Sequence, residues 1–319
     1  MKILVTEPLN LADGVKRRLA DLGSVVYGPF DDRALLEELA DSDVLMVRLG
    51  RYIGAPLLAK APKLRFILTA TTGLDHIDLD AARQAGVRVI SLRECPEAIR
   101  DVTATAEHCL GLILALARRI PSAAEHVLAG GWDRDRFWGV QLAGKRLGIV
   151  GYGRIGAMVA RYADAFGMEV VAFDSVPHKI VAPATPLGFD ELLQSSDVVT
   201  LHVTAAPENR HLIDAAAVAR MKEGAMVINT ARGSVADEEA LANAASSGRL
   251  AGVAVDVLSG EEHGDIKNSP LLACAREGHN VIITPHIGGA AREAIARTET
   301  AIVERFAREL AGLGADQRP

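Results

Sequence analysis

Three residues that could carry chemistry follow apolar runs typical of strands. Arg232 follows "VINTA", Glu261 follows "VAVDVLSG" and His286 follows "VIITP". In an open α/β sheet, ligands bind at the carboxyl ends of the parallel strands, so these side chains would reach one edge. Each residue alone has an ordinary explanation, because most Arg and Glu side chains are solvated and a His beside Pro is often a turn residue. The three together predict a single site.

The residue types of this site suit one kind of reaction. An Arg offers a fixed, bidentate fork for a carboxylate. A His exchanges protons near neutral pH and could protonate a carbonyl oxygen. A carboxylate on the other ring nitrogen would orient the imidazole and favour its charged form. Arg232, His286 and Glu261 therefore predict chemistry on a carbonyl group beside a carboxylate, as in a 2-oxo acid.

A glycine-rich segment predicts a dinucleotide site. "GIVGYGRIG" contains Gly151-x-Gly153-x-x-Gly156 after a strand-like run and before a helical pattern. The first glycine permits a tight turn, the second lets the backbone approach a pyrophosphate, and the third lets helix pack on strand. Asp174 ends the next strand-like run, 18 residues after Gly156 (174 − 156). Its carboxylate would accept hydrogen bonds from ribose hydroxyls and repel a 2′-phosphate, so we expect NAD rather than NADP.

The elements that would position these residues alternate in type. Short β-branched runs alternate with amphipathic stretches, which predicts parallel sheets with helices on both faces. The chain has 319 residues, enough for two such domains. A strongly apolar helix is predicted from about residue 101 to 119, buried between domains or subunits. The predicted strands are Lys2–Thr6, Ser24–Tyr27, Asp43–Arg48, Arg65–Ala70, Val87–Leu92, Arg146–Val150, Glu169–Phe173, Val198–Val203, Ala225–Thr230, Gly252–Val257 and Val281–Thr284.

Bulk composition excludes several classes of protein. The net charge is −6, which does not favour a nucleic-acid partner. No run of about 18 apolar residues predicts a membrane span, and the first residues do not resemble a signal peptide. The three cysteines, Cys95, Cys109 and Cys274, lack Cys-x-x-Cys spacing. We expect reduced thiols in a cytoplasmic protein and no metal site.

The chain resembles the D-isomer-specific 2-hydroxyacid dehydrogenases, a family that includes D-3-phosphoglycerate dehydrogenase, glyoxylate/hydroxypyruvate reductase and formate dehydrogenase. The resemblance rests on "GWDRDRFWGVQLAGKRLGIVGYGRIG", "DVVTLHVTAAPENRHLI", "INTARGSVADEEAL", "GVAVDVLSGE" and "TPHIGG". It continues more weakly into "TTGLDHIDLDAARQAGVRV" and "TAEHCLGLILALARRIP". The implied fold is α/β, with two doubly wound parallel-sheet domains: a flavodoxin-like substrate domain and a Rossmann NAD-binding domain.

The resemblance implies a role for each matching residue. Arg232 would bind the substrate carboxylate, His286 would be the acid/base and Glu261 its partner. The substrate side would include Arg48, Thr72, Gly73, Arg93 and Arg100. The residues expected along the cofactor are Thr72, Thr105, Gly151, Gly153, Arg154, Ile155, Gly156, Asp174, His202, Val203, Thr204, Thr230, Ala231, Arg232, Asp256, His286, Gly288 and Gly289.

Two segments depart from the family pattern. Glu262 and His263 follow the candidate Glu261 where the family usually has Pro; Glu262 either alters local electrostatics or simply faces solvent. The segment "SLRECPEAIRD" is longer than the corresponding turn of phosphoglycerate-type enzymes. This loop is either a surface insertion or a specificity element in which Arg93 or Arg100 recognises a second anionic group.

The sequence thus predicts an NAD-dependent oxidoreductase acting on a 2-oxo acid or D-2-hydroxy acid. Residues 1–99 plus 290–319 would form the substrate domain, and 100–289 the NAD-binding domain. The apolar helix and the segment near Trp132–Trp138 resemble the family's dimer contact, which predicts a homodimer. No C-terminal regulatory domain is expected. A specific phosphoglycerate dehydrogenase, a glyoxylate/hydroxypyruvate reductase and, remotely, an NAD-sensing corepressor-like protein remain alternatives.

Overall fold

The computed structural model describes residues 1–8 and 11–313; residues 9–10 and 314–319, the latter assigned to the predicted substrate domain, lie outside the described residues. Contacts divide the chain into two compact units. The first consists of Met1–Val102 together with the segment that begins at Ala290, and the second is Thr103–Gly289. The first boundary therefore lies three residues after the predicted one (102 − 99).

The first unit contains a five-stranded parallel sheet in the order β2-β1-β3-β4-β5. This is the flavodoxin-like order. The sheet is buried on both faces, as parallel sheets are, and β3 and β4 are completely buried. Its elements are β1 (Lys2–Val5), α1 (Asp13–Leu22), β2 (Ser24–Tyr27), α2 (Asp32–Leu39), β3 (Val44–Val47), α3 (Ala55–Leu58), β4 (Phe66–Thr69), α4 (Leu79–Gln84), β5 (Arg88–Ser91) and α5 (Pro96–Ile99).

The second unit contains a seven-stranded sheet in the order β12-β11-β10-β9-β6-β7-β8. Counted from its own first strand, this is 7-6-5-4-1-2-3, the doubly wound order that places a switch point between β6 and β9. Its elements are α6 (Ala104–Ala117), α7 (Ile120–Leu128), β6 (Arg146–Val150), α8 (Arg154–Ala165), β7 (Glu169–Phe173), β8 (Thr185–Pro186), α9 (Phe189–Ser195), β9 (Val198–Leu201), α10 (Ala215–Arg220), β10 (Ala225–Asn229), α11 (Glu238–Ser246), β11 (Leu250–Val255), α12 (Pro270–Arg276) and β12 (Val281–Ile283).

The apolar helix predicted for about 101–119 is shorter than expected. It runs as α6 from Ala104 to Ala117 and packs on α8, β10 and β11 within the second unit. Arg119 then adopts a left-handed conformation with φ of 50°, and α7 starts in a new direction at Ile120. Pro121 lies in the first turn of α7, where its missing N–H costs nothing.

The last helix, α13 (Arg292–Gly312), belongs to the first unit. Ile302, Val303 and Phe306 are fully buried in the core on one face of the five-stranded sheet. The ring of Phe306 packs edge-on against Phe66 of β4, with 5.1 Å between ring centroids. The final helix thus packs on the sheet of the first unit. Nowhere in the described part of the chain does a helix combine the length and apolar character that crossing a membrane requires.

Candidate active site

The glycine-rich turn between β6 and α8 is shaped by two close backbone approaches. Gly151 has φ of 95°, and a Cβ there would lie 2.7 Å from the carbonyl of His202. A Cβ on Gly156 would lie 2.2 Å from the backbone oxygen of Gly151. Gly153 is different, because a Cβ at that position would meet no described atom within 4 Å. Gly151 and Gly156 are therefore required by the protein's own packing, whereas Gly153 leaves space beside the start of α8.

Asp174 follows β7 and closes this turn from the other side. Its Oδ2 accepts a hydrogen bond from the backbone N–H of Tyr152 (2.8 Å), and its Oδ1 accepts one from Val176 (2.9 Å). The Tyr152 hydroxyl donates to the carbonyl of Val181 (2.7 Å). Asp174 is thus held by two backbone amides, and the remaining lone pairs of its carboxylate can accept hydroxyl donors.

An uncharged polar cluster lies between α6 and β9. Thr200 Oγ1 is 3.0 Å from His202 Nε2 and 3.2 Å from Cys109 Sγ. Burial of the imidazole lowers the pKa of His202 to about 4. Burial raises the pKa of the Cys109 thiol to about 11, against the smaller opposing effects of Thr200 and Thr230. Near neutral pH both side chains are uncharged, so neither is suited to proton transfer there.

The loop that carries Arg232 is built from the end of β10. The buried Asn229 accepts from the N–H of Ala231 (3.0 Å) and donates to the carbonyl of Arg232 (2.8 Å), which fixes the turn. At the next position, a Cβ on Gly233 would lie 2.2 Å from the carbonyl carbon of Leu258. The Arg232 loop therefore packs directly on the segment that leads to Glu261, which brings two predicted catalytic residues to one edge of the sheet.

His286 and Glu261 form a hydrogen-bonded pair. His286 Nδ1 lies 2.5 Å from Glu261 Oε1, and Glu261 Oε2 accepts from the N–H of Leu258 (3.0 Å). Each side chain keeps 24% of its surface exposed. The bond to Glu261 occupies Nδ1 and orients the ring, so Nε2 is the nitrogen left to exchange a proton with a ligand. Pro285 ends the pairing of β12, and His286 itself has φ of 53°, an uncommon conformation for a residue with a side chain.

The turn that carries His286 is anchored on Asp256, which follows β11. The carboxylate of Asp256 accepts from the N–H groups of Ile287 (2.9 Å) and Gly288 (2.7 Å) and from the hydroxyl of Thr284 (2.5 Å). Its backbone oxygen accepts from the N–H of His286 (2.9 Å). Burial raises the pKa of Asp256, but the hydrogen bonds from His108, Thr284, Ile287 and Gly288 outweigh it, and the pKa lies below its ordinary value.

Gly288 is fixed by this anchor, and Gly289 is not. A Cβ on Gly288 would lie 2.9 Å from Asp256 Oδ2, whereas one on Gly289 would meet no described atom within 4 Å. The other predicted cofactor residues of the second unit lie at its α6 N-terminus, at the start of α8 and after strands β9 and β10: Thr105, Arg154, Ile155, Val203, Thr204 and Thr230. Thr72, predicted for both cofactor and substrate, belongs to the first unit.

The predicted substrate arginines of the first unit have different partners. Arg93 donates from Nε to the carbonyl of Thr72 (2.8 Å), next to Gly73 in the loop after β4. Arg48 pairs with the carboxylate of Glu299, of which 1% is exposed. Arg100 pairs with Glu97, three residues earlier in the chain, and both side chains are exposed. The structure therefore brings Arg93 to the Thr72–Gly73 loop, while Arg48 and Arg100 each have a nearby carboxylate.

Comparison with known proteins decides the family. Residues 110–288 match the model of the D-isomer specific 2-hydroxyacid dehydrogenase, NAD binding domain. The chain is 39% identical over 317 residues to D-3-phosphoglycerate dehydrogenase of Methanocaldococcus jannaschii, covering 98% of this chain and 58% of that protein. The chain belongs to the D-isomer-specific 2-hydroxyacid dehydrogenase family. The matched residues include the segment Gly151-x-Gly153-x-x-Gly156.

Two further proteins match this chain along most of their length. A hydroxypyruvate reductase of Thermotoga maritima is 36% identical over 276 residues, 86% of this chain and 87% of that protein. The solved structure of D-lactate dehydrogenase from Aquifex aeolicus, complexed with NAD and lactic acid, superimposes with a TM-score of 0.81 at 30% identity and covers 98% and 96% of the two chains. By contrast, the chain spans only about half the length of the phosphoglycerate dehydrogenases that it matches.

Sequence reasoning missed three residues that shape the site. Asn229 ties the Arg232 turn, and Thr284 and His108 both reach the Asp256 carboxylate. Asn229 and Thr284 lie in the quoted segments "INTARG" and "TPHIGG", so their position at strand ends was a usable signal. His108 also lies in a quoted segment, "TAEHCLGLILALARRIP", but it does not follow a strand, and its partner Asp256 comes 148 residues later in the chain (256 − 108).

Proposed function

We propose that the protein catalyses NAD-dependent interconversion of a 2-oxo acid and a D-2-hydroxy acid. The observation that carries this proposal is the His286–Glu261 pair at 2.5 Å, on the same sheet edge as the Arg232 loop and in an NAD-binding domain. A carboxylate receptor and an oriented proton donor are what reduction of a carbonyl beside a carboxylate requires. Formate oxidation needs no proton relay to an oxygen, so the pair favours a carbonyl substrate.

The residues of the site would divide the work as follows. Arg232 binds the substrate carboxylate with its planar guanidinium and polarises the carbonyl oxygen. His286 donates a proton from Nε2 to that oxygen during reduction and accepts it in the reverse direction. Glu261 stabilises the charged imidazole and keeps Nδ1 in one orientation. In the family, bound NADH supplies the hydride.

The residues of the second unit fit NAD. Open space at Gly153 lets a pyrophosphate approach the start of α8, a helix of twelve residues whose first N–H groups are available to phosphate oxygens. Asp174 offers a carboxylate to the ribose hydroxyls, and its negative charge disfavours a 2′-phosphate. These features support NAD over NADP.

The substrate side chain is open between several acids. Arg93 is the strongest candidate among the predicted substrate arginines. Its Nε donates to the carbonyl of Thr72, and its terminal nitrogens have no partner among the described residues. If the substrate carries a second anionic group, we expect Arg93 to recognise it. Arg48 is the weaker candidate because Glu299 already balances its charge. Phosphohydroxypyruvate, hydroxypyruvate and glyoxylate are therefore the first acids to compare.

The protein is further proposed to be a cytoplasmic homodimer. Three large apolar side chains of the second unit are strongly exposed: Leu128 at 89%, Trp132 at 90% and Trp138 at 75%. Large apolar side chains exposed to this extent are typical of an interface. Reduced thiols suit the cytoplasm, and Cys95, Cys109 and Cys274 are all free.

The test is an absorbance assay of NADH oxidation against a panel of 2-oxo acids, with chiral analysis of the product. We expect turnover and a D-hydroxy product. Arg93→Ala would raise the KM for phosphohydroxypyruvate about tenfold or more if the second anionic group binds there, and Arg100→Ala is the matched control. A protein that binds NADH, turns over none of these acids and captures a protein partner in an NADH-dependent way would overturn the proposal in favour of a sensor.

A further inference from the structure

A second imidazole reaches the carboxylate that anchors the His286 turn. His108 projects from α6, and its Nε2 lies 3.2 Å from Asp256 Oδ1 and 3.0 Å from Thr284 Oγ1. Only 20% of the His108 side chain is exposed, and Asp256 is 2% exposed. His108 is not part of the acid/base pair, in which Glu261 is bonded to His286.

The geometry determines which protons lie between these groups. Thr284 has a single hydroxyl proton, and its oxygen is 2.5 Å from Asp256 Oδ1, so that proton is donated to the carboxylate. Both atoms that face His108 Nε2 then present lone pairs. A bare Nε2 would repel both, so this nitrogen carries a proton and donates it. Asp256 therefore accepts from Thr284, His108 and two backbone amides at once.

These donors hold the conformation of the catalytic turn. The N–H groups of Ile287 and Gly288 donate to the two oxygens of the Asp256 carboxylate, and the His286 N–H donates to the Asp256 backbone carbonyl. His286 lies between these bonds at φ of 53°. A residue with a side chain keeps this conformation only where its surroundings impose it. Any rotation of the Asp256 carboxylate would move the amides on both sides of His286.

We propose that His108 is a positioning residue: by donating from Nε2 to Asp256 and Thr284, it fixes the carboxylate that sets the left-handed His286 turn. The effect of His108 on turnover rests on the proposed function, whereas its effect on the conformation of the His286 turn does not. The inference assigns a role to a residue of α6 that touches neither His286 nor Glu261. It also accounts for a largely buried imidazole on a helix whose fully buried residues are apolar.

Three variants separate donation from packing. His108→Leu removes the donor and keeps similar volume. His108→Gln places an amide N–H near the position of Nε2 and cannot act as an acid or base. Glu107→Gln is the matched control, because Glu107 is the neighbouring exposed residue on α6 and bonds to Thr103 rather than to the Asp256 cluster. For each we would measure kcat per NADH-binding site, the KM for the 2-oxo acid, and backbone amide exchange at Ile287 and Gly288.

His108→Leu should lower kcat on the order of tenfold with little change in KM, and should speed amide exchange at Ile287 and Gly288. His108→Gln should restore both, and Glu107→Gln should match the parent protein. Unchanged exchange and kcat in His108→Leu would overturn the inference, as would His108→Gln behaving like His108→Leu. If the parent protein turns over no 2-oxo acid, the proposed function fails, and amide exchange alone still decides the role of His108.

Discussion

Glu261 and Glu262 are adjacent carboxylates with very different surroundings. Glu261 accepts from Leu258 and pairs with His286, whereas Glu262 lies 3.9 Å from the exposed His263. A carboxylate bonded to imidazole stabilises its charged form. The Glu262 side chain keeps 33% of its surface exposed, so water screens part of its charge. The sequence left open whether Glu262 alters the electrostatics of the site or only faces solvent. These two alternatives predict different results for the matched substitutions Glu261→Gln and Glu262→Gln.

Glu261→Gln should lower kcat by about 10- to 100-fold, because the amide fills the same space without the negative charge. Glu262→Gln should leave kcat within about twofold of the parent value if that carboxylate only faces solvent. Steady-state kinetics on the best 2-oxo acid measures both. Equal losses in the two variants would mean that Glu262 contributes to the electrostatics of the site.

His202 predicts an acid sensitivity of folding. Burial lowers its pKa to about 4, below the roughly 6.5 of an unfolded chain. Between these values the unfolded state binds more protons, so the stability that the neutral ring allows is present above about pH 6.5 and is lost as pH falls. We expect this group to remove about 2 kcal/mol of the free energy of unfolding between pH 7 and pH 5.

Urea unfolding at both pH values, with the parent protein and His202→Gln, tests this expectation. The variant should lose less stability on acidification than the parent by about that amount, because its amide does not titrate. Identical losses in the two proteins would show that other groups account for the acid sensitivity.

At the scale of elements, the sequence predicted the strands whose apolar runs are bounded by turn residues. Strands such as β2, β6 and β7 have the predicted bounds because apolar runs end at turn residues on both sides. Strand β8 was not predicted, because its two residues are too few for periodicity to register. The apolar helix was predicted to end at about residue 119, where Arg119 adopts a left-handed conformation, but helix α7 after it was not predicted.

The candidate site was predictable to the same extent. Arg232, Glu261, His286 and the glycine-rich turn follow strands, so topology alone brings them to one edge. The His108–Asp256 contact depends on how α6 packs against β11, which no local pattern encodes. Partners of a catalytic residue that come from distant elements therefore required the three-dimensional structure.

The three glycines of the nucleotide turn predict two kinds of defect. Gly156→Ala would place a Cβ 2.2 Å from the oxygen of Gly151, so we expect a lower Tm as well as poor NADH binding. Gly153→Ala meets no described atom within 4 Å and should leave Tm nearly unchanged. If the pyrophosphate approaches there, NADH affinity should still fall about tenfold or more.

Thermal unfolding and NADH fluorescence titration separate the two defects. Gly153→Ala with parent-like affinity would contradict a pyrophosphate site at this turn. A loss of both stability and affinity would mean that Gly153 is needed for folding rather than for the ligand.

At the scale of the whole molecule, the exposed apolar side chains of Leu128, Trp132 and Trp138 predict self-association. Sedimentation at micromolar concentration should give a dimer for the parent protein. Replacing both tryptophans by Ser should shift the equilibrium strongly toward monomer, because aromatic anchors carry much of the energy of an interface. Val181→Ser, at an apolar residue 60% exposed elsewhere in the same unit, is the matched control. A parent protein that sediments as a monomer would contradict the homodimer.

The most direct test of the central proposal compares the parent protein with His286→Asn. Turnover of NADH with the best 2-oxo acid and NADH affinity would be measured on both. Asn can mimic Nδ1 toward Glu261 but has no proton to give at Nε2, so we expect kcat to fall on the order of a thousandfold or more, with NADH affinity preserved. A variant that keeps both NADH affinity and most of the parent's turnover would show that His286 is not the acid/base, and the proposed mechanism would be wrong.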